Sequence, residues 1–383
     1  MNFEFATSQR IIFGPGCINQ GSELIRGFGK NVVFITGGHN RNDNPIIKLV
    51  TKDPDLRSIQ IICEKEPEIG VIQKSIEEVR EFNPDVVVGI GGGSVVDTGK
   101  ALAILATNNG TVRDYLEVVG NGLVLVNPSL PYIAIPTTSG TGSEVTRNAV
   151  IYDRESRVKA SIRSPYMLPR VALVDPEQTL GLPPEISAST GMDALTQVIE
   201  PYLTRKANPI TDSICLQAIS IARNALLTTY QDPENLIARE QMSIVSLFGG
   251  LALANSGLGV VHGFAAAIGG MYPNARHGEI CASILPAAFK VNRLACEGNP
   301  EYLATSQKIN TISKLLSGND RQPGEEILSD MNYRMHIPSL SVLGITRSDF
   351  QTITEKAFRS SSMKGNPIPL TSQDLLKILE MSF

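Results

Sequence analysis

The stretch Asp85-Val-Val-Val-Gly-Ile-Gly-Gly-Gly-Ser-Val-Val-Asp97 decides the fold. Its first half is a β-branched run that is apolar on both faces, the pattern of a buried parallel strand. Its second half is a glycine turn opening onto a helical pattern over residues 95–107, with Val96, Gly99 and Ala103 on one face. A strand, a glycine turn and a helix start together make an anion site. The first N–H groups of a helix have no internal partner and carry a partial positive charge. The spacing is neither Gly-x-Gly-x-x-Gly nor a P-loop, since no Gly-Lys-Ser/Thr follows. Alone, it fits a phosphate cradle or a tight turn between packed elements.

Working outward, similar apolar runs recur at 32–36, 59–62, 132–135 and 171–174, and an amphipathic stretch spans 69–82. This alternation reads as a parallel sheet with helical crossovers. A second small-residue stretch, Pro136-Thr-Thr-Ser-Gly-Thr-Gly-Ser143, follows another of these strands, with Glu144 next. Two such loops at strand ends favour a dinucleotide over either loop alone. From about Leu182 the strand pattern stops. Helical patterns take over at 187–205, 210–230, 237–254, 263–271, 280–295 and 303–316. The expected fold is an α/β dinucleotide-binding domain over 1–181 followed by an all-α domain over 182–383. The break falls at Gly181-Leu-Pro-Pro184, where two prolines continue neither a helix nor a central strand.

The composition narrows the function. The chain has 383 residues, 42% hydrophobic and 19% charged, with a net charge of −4. That argues against nucleic acid as a partner, as do 5% aromatic content and the absence of Trp. No apolar run reads as a membrane span, and Met1-Asn-Phe-Glu-Phe5 lacks a signal-peptide pattern, so a cytoplasmic location is expected. The five cysteines (17, 63, 215, 281 and 296) are scattered and never form Cys-x-x-Cys. They read as small core residues rather than as disulfides or a cysteine-based zinc site.

Three further features carry chemistry. Ile35-Thr-Gly-Gly-His-Asn-Arg41 ends the first clear strand. An acidic residue at the adenosine-ribose end of a dinucleotide site favours NAD. Here Gly37 and Gly38 stand at that place with Arg41 nearby, which slightly favours NADP. Thr190-Gly-Met-Asp-Ala-Leu-Thr-Gln197 places Asp193 and Gln197 four residues apart on one helix face. His262 and His277 follow on either side of Gly269-Gly-Met-Tyr-Pro-Asn274. A carboxylate and two imidazoles suit Fe(II) or Zn²⁺. They are equally the polar groups of an ordinary cleft.

Taken in order, these motifs resemble the iron-containing (group III) alcohol dehydrogenases of the dehydroquinate synthase-like superfamily. The resemblance runs from Ile11-Ile-Phe-Gly-Pro-Gly16 through both glycine stretches and Thr190-Gly-Met-Asp-Ala-Leu195 to Gly257-Leu-Gly259 and His262-Gly263. It implies an NAD(P)-dependent alcohol dehydrogenase or aldehyde reductase working in an interdomain cleft. Gly92, Gly93 and Ser94 would hold the pyrophosphate. Asp97, Thr137, Thr138, Ser143 and Val145 would line the rest. A divalent metal would be held by Asp193, Gln197, His262 and His277, and the two histidines would be catalytic. The substrate would be a small alcohol, aldehyde or oxo acid, and the assembly a homodimer or larger. The chain departs from the family pattern twice. Gln197 stands where a ligand histidine is usual, which would weaken the metal. Ala266 stands where the second histidine of His-Gly-x-Ala-His is usual, which removes a candidate proton relay. Two alternatives stay open: a metal-independent oxo-acid reductase like the maleylacetate reductases, with Arg147 and Arg163 as carboxylate partners, or a non-redox nucleotide-binding relative.

Overall fold

The computed structural model describes residues 2–38, 44–318 and 322–383. His39 and Arg41 lie outside the described residues. The chain separates into two compact units. One comprises Ala6–Thr138 and Gly142–Thr179; the other comprises Leu180–Phe383, Ser139–Thr141 and the N-terminal end.

The first unit is an α/β layer. Its strands are β1 (Arg10–Phe13), β2 (Asn31–Thr36), β3 (Arg57–Ile62), β4 (Val86–Gly91), β5 (Tyr132–Pro136), β6 (Asn148–Asp153), β7 (Val158–Arg163) and β8 (Val171–Val174). Its helices are α1 (Gly21–Arg26), α2 (Pro45–Lys52), α3 (Ile69–Phe82), α4 (Gly93–Leu105) and α5 (Val112–Tyr115). Six strands pair in the order β1-β8-β5-β4-β2-β3, all in parallel. Alternate residues of the inner strands β2, β4 and β5 enter two separate cores. Val33, Ile35 and Val87 pack with Ile72, Ile76 and Leu102 from α3 and α4. Val32, Phe34, Val86 and Val88 pack with Ile25, Ile46 and Val50 from α1 and α2. Burial on both faces is why these strands read as unbroken apolar runs.

The strand order places a topological switch. The chain leaves β2 toward β3 on one side and leaves β4 toward β5 on the other. The carboxyl tips of β2 and β4 therefore border the point where winding reverses, where open α/β sheets bind their ligands. Gly37 and Gly38 follow one tip; Gly92 and Gly93 follow the other.

A pair of strands in this unit escaped the sequence reading. β6 and β7 form an antiparallel hairpin, with Asn148 opposite Arg163 and Asp153 opposite Val158. Burial alternates along it, with Ala149, Ile151, Ala160 and Ile162 inside. A half-buried ribbon shows period-two alternation, not the continuous apolar run of its neighbours.

The second unit is helical: α6 (Pro184–Leu203), α7 (Pro209–Gln231), α8 (Leu236–Ser256), α9 (Val260–Met271), α10 (His277–Cys296), α11 (Leu303–Ser317), α12 (Gly324–Arg334), α13 (Phe350–Arg359) and α14 (Ser372–Ser382). Gly181 adopts a φ of 68°, and Pro184 takes the first turn of α6, where a missing N–H costs nothing. The prolines thus begin a helix. α6 is buried almost throughout and forms the centre of this unit. α8 is long and apolar enough by composition to cross a bilayer, which the sequence reading did not anticipate. More than half of it is buried against the rest of the unit, and it serves as a core helix.

Candidate active site

In the α/β unit, α4 starts directly at the tip of β4. Gly92 is its N-cap and provides no side-chain cap, so the first N–H groups of α4 remain available to an anion. Gly93 opens the helix and Ser94 follows, half-buried. Gly92 has a φ of −71°, which any residue adopts, and a Cβ added there would stand 3.5 Å from Thr138, an ordinary contact. The protein itself does not require glycine at 92. Gly89 and Gly99 differ, since a Cβ at either would overlap Tyr132.

The residues after β5 divide by role. Thr137 donates its N–H to the Gly91 carbonyl at 3.0 Å, tying the second stretch to the first. Thr138 is half-buried beside Gly92. Asp97 and Ser143 are engaged within the protein. Lys100, fully buried, donates from Nζ to Ser143 Oγ (2.6 Å), the Ser143 carbonyl (3.0 Å) and Thr146 Oγ1 (2.8 Å), and pairs with Asp97 Oδ1 at 3.0 Å. Ser143 Oγ donates a short hydrogen bond to Asp97, whose Oδ2 accepts from the Val150 N–H at 2.8 Å. Val145 is fully buried, so its side chain offers a ligand nothing. At the tip of β2, Gly37 is half-buried and Gly38 exposed. Glu64, just past β3, comes within 3.8 Å of where a Cβ on Gly38 would stand.

Glu144 sits inside this braced loop. Burial raises its carboxyl from 4.5 to about 7, opposed by its own backbone N–H and by Lys100. The folded state therefore holds a proton that the unfolded chain releases between these values. The resulting stability is complete below pH 4.5 and is lost as pH rises through 7, a change of about 3 kcal/mol. Glu144→Gln should remove this dependence. Thermal melts at pH 5 and pH 8 should show the variant losing less stability than the parent; equal losses would refute the assignment.

The helical unit brings a second group together. Asp193 and Gln197 lie on α6, His262 in the first turn of α9, and His277 at the start of α10. His262 Nε2 is 3.3 Å and His277 Nε2 is 3.7 Å from Asp193 Oδ1. Gly278 makes this possible. A Cβ there would overlap the backbone and side chain of Ser189, so α10 begins in direct contact with α6. His262 Nδ1 donates to Glu200 Oε2 at 2.6 Å, and Glu200 Oε1 accepts the Val261 N–H at 2.7 Å. A carboxylate can only accept, so Nδ1 keeps its proton and Nε2 is the nitrogen facing Asp193, free to offer a lone pair whenever the ring is neutral.

Two residues of this constellation were not foreseen. Glu200 lies seven residues after Asp193, on the same helix face. Cys281 lies four residues after His277, with Sγ 3.7 Å from His277 Nε2. Donor atoms of Asp193, His262, His277 and Cys281 all lie within 4.8 Å of one another. Cys281 therefore departs from the expectation that the cysteines only fill core. Gln197 Nε2 donates to Asp193 Oδ2 at 3.0 Å. Arg163, considered for a substrate carboxylate, pairs instead with Glu117 at 3.0 Å.

The group fits a cation. Asp193 Oδ1 and His262 Nε2 are buried and have no hydrogen-bond partner among the described residues, an arrangement that is costly unless a cation lies between them. Burial works against charge on both imidazoles. Cys281 and Asp193 nevertheless hold both above their ordinary range, His262 by a wide margin with Glu200 adding to the effect. Burial likewise opposes ionisation of Asp193, but His277, His262 and Gln197 bring it below the usual carboxylate range. The site thus favours positive charge at its centre. Glu200→Gln would place an N–H donor toward His262 and upset its tautomer. Metal affinity should fall about 10- to 100-fold in chelator-competition titrations; an unchanged affinity would remove Glu200 from the site.

Comparison with known proteins shows similarity over both units. Residues 8–176 match the iron-containing alcohol dehydrogenase family, and residues 187–383 match the Fe-containing alcohol dehydrogenase family C-terminal region. Alcohol dehydrogenase 4 of Saccharomyces cerevisiae is 32% identical over 378 residues, covering 93% of this chain and 96% of that protein. The crystal structure of a 1,3-propanediol oxidoreductase superposes with a TM-score of 0.91 at 30% identity, covering 100% of both chains. The sulfoacetaldehyde reductase from Bifidobacterium kashiwanohense, in complex with NAD+, superposes with a TM-score of 0.86 at 26% identity, covering 100% of this chain and 99% of that one. With this sheet order, this helical unit and both family matches, the chain belongs to the iron-containing alcohol dehydrogenase family and is an oxidoreductase acting on CH–OH groups.

Proposed function

We propose that this enzyme transfers hydride between a nicotinamide dinucleotide and a small alcohol or its aldehyde, aided by a divalent metal held by Asp193, His262 and His277. The observation that carries the reading is the set of buried donor atoms on Asp193 and His262, without hydrogen-bond partners among the described residues, beside His277. When bound, the metal would polarise the substrate oxygen as a Lewis acid and the nicotinamide would supply or accept the hydride. The chain's own residues do the rest. The N–H groups of α4 with Gly92, Gly93 and Ser94 bind the pyrophosphate, and Thr137 and Thr138 border it. Asp97 and Ser143 act by bracing the loop through Lys100, and Val145 by packing. Gln197 holds Asp193 in place, and Glu200 holds the tautomer of His262. Residue 266 is alanine and carries no proton, so water moves it along the edge of His277, whose side chain is 36% exposed.

The absence of an acidic residue at Gly37 and Gly38 favours NADP, with Glu64 as the carboxylate that keeps NAD competitive. A homodimer or larger assembly in the cytoplasm completes the proposal, and sedimentation as a monomer would contradict that part. The deciding assay follows NADPH and NADH oxidation with a panel of aldehydes and oxo acids. Aldehyde turnover should be lost with chelator, be rescued by Fe²⁺ or Zn²⁺, and favour NADPH. Turnover of oxo acids alone, insensitive to chelator, would overturn the reading.

A further inference from the structure

We propose that Cys281, as a thiolate, is the fourth side-chain donor to a zinc- or iron-type divalent cation at this site, in the place that Gln197 would otherwise take. The inference rests on the reading above that the cluster holds a metal. Asp193, His262, His277 and Cys281 present their donor atoms within 4.8 Å of one another, which is how ligands around one small cation are arranged. Cys281 is completely buried, yet its sulfur faces the nitrogen of His277 at 3.7 Å. His277 and Cys281 are one helical turn apart on α10, as Asp193 and Gln197 are on α6. The contact of Gly278 with Ser189 sets the start of α10 directly on α6.

Gln197 is the poorer candidate. A carboxylate only accepts, so the bond to Asp193 Oδ2 fixes which end of the amide is nitrogen. The remaining oxygen is buried without a hydrogen-bond partner among the described residues and lies on the side of α8, 3.6 Å from where a Cβ on Gly249 would stand. It is also neutral, whereas a thiolate and a carboxylate together match the double charge of the cation. An Asp, two imidazoles and a thiolate form a four-donor O/N/S set of the kind borderline divalent cations accept. As the sulfur–metal bond forms, the thiol proton passes to solvent.

Cobalt(II) loaded into the full-length protein tests this without recourse to turnover. The parent should bind one cobalt per chain and show an intense thiolate-to-cobalt charge-transfer band in the near ultraviolet. Cys281→Ala and Cys281→Ser should lose the band and bind cobalt about tenfold more weakly or worse. Gln197→Ala should keep the band. One bound cobalt without the band, or a band that persists in Cys281→Ala, overturns the thiolate while leaving the metal reading intact. A parent that binds no cobalt at all overturns both.

Discussion

Asp193→Asn should lower kcat/KM for aldehyde reduction about a thousandfold while the protein stays folded. Asparagine keeps the shape of the side chain and can still accept from Gln197 Nε2 at the position where Asp193 Oδ2 does so now. It removes the charge that draws two imidazoles and a cation together. Lewis-acid polarisation contributes several kcal/mol to a transition state, and each 1.4 kcal/mol is a factor of ten, which gives roughly three orders of magnitude. The folded protein loses no packing. Burial opposes the Asp193 charge, but His277, His262 and Gln197 outweigh it and hold the carboxyl below its ordinary range, so its charge contributes to folded-state stability at neutral pH. The melting temperature without metal should therefore fall modestly. Added metal should raise it in the parent and not in the variant, because only a ligand that binds the native state stabilises it. Metal content, melting curves and steady-state kinetics on both proteins decide the matter. A variant that retains its metal and stays within tenfold of parental activity would remove Asp193 from the ligand set.

The second large effect concerns Gly92. Gly92→Asp should weaken nucleotide binding about 100-fold or more and change the melting temperature little. The backbone angles at 92 suit any residue, and a Cβ would meet Thr138 at ordinary contact distance. A side chain there thus costs the fold about as little as a surface change, within roughly 0.5 kcal/mol. It would, however, occupy the approach to the N–H groups that start α4 and set a negative charge against a pyrophosphate. Gly92→Ala should lie between the two. Isothermal titration with NADP, alongside a thermal melt, separates the cases. Unchanged affinity would show that the glycine has no part in binding. A melting temperature that falls with the affinity would show that it serves the fold.

Much of this was legible in the residues, for physical reasons. The parallel strands were visible because both faces are buried. The hairpin of β6 and β7 was not, because its buried residues alternate with half-buried ones and its turn is charged. The central helices showed their period clearly. α12 to α14 were not assigned, because short polar helices such as α12, with Leu328 and Met331 among few buried apolar residues, leave a faint pattern. At the site, residue type pointed to Asp193, His262 and His277, but nothing in a linear chain announces that positions 193, 262 and 277 meet. Glu200 and Cys281 carried a usable signal in their spacing from Asp193 and His277. It was passed over because a glutamate and an isolated cysteine on buried helices look like structure. Lys100 reads in sequence only as a polar residue on the helix that follows the glycine turn. Its burial and its grip on Asp97 and Ser143 depend on folding.

The direct seating of α10 on α6 at Gly278 has a bearing on redesign. With no side-chain cushion between the two helices there, any bulk added on that side displaces main chain, and Asp193 would shift relative to His277 and Cys281. Attempts to retune substrate choice by repacking α6 should therefore spoil the metal geometry before they reshape the pocket. Freedom to vary lies in the connection that leads into His277, at Pro273, Asn274 and Arg276, which are exposed, while Tyr272 and Ala275 beside them are held by Asp349 and by the core.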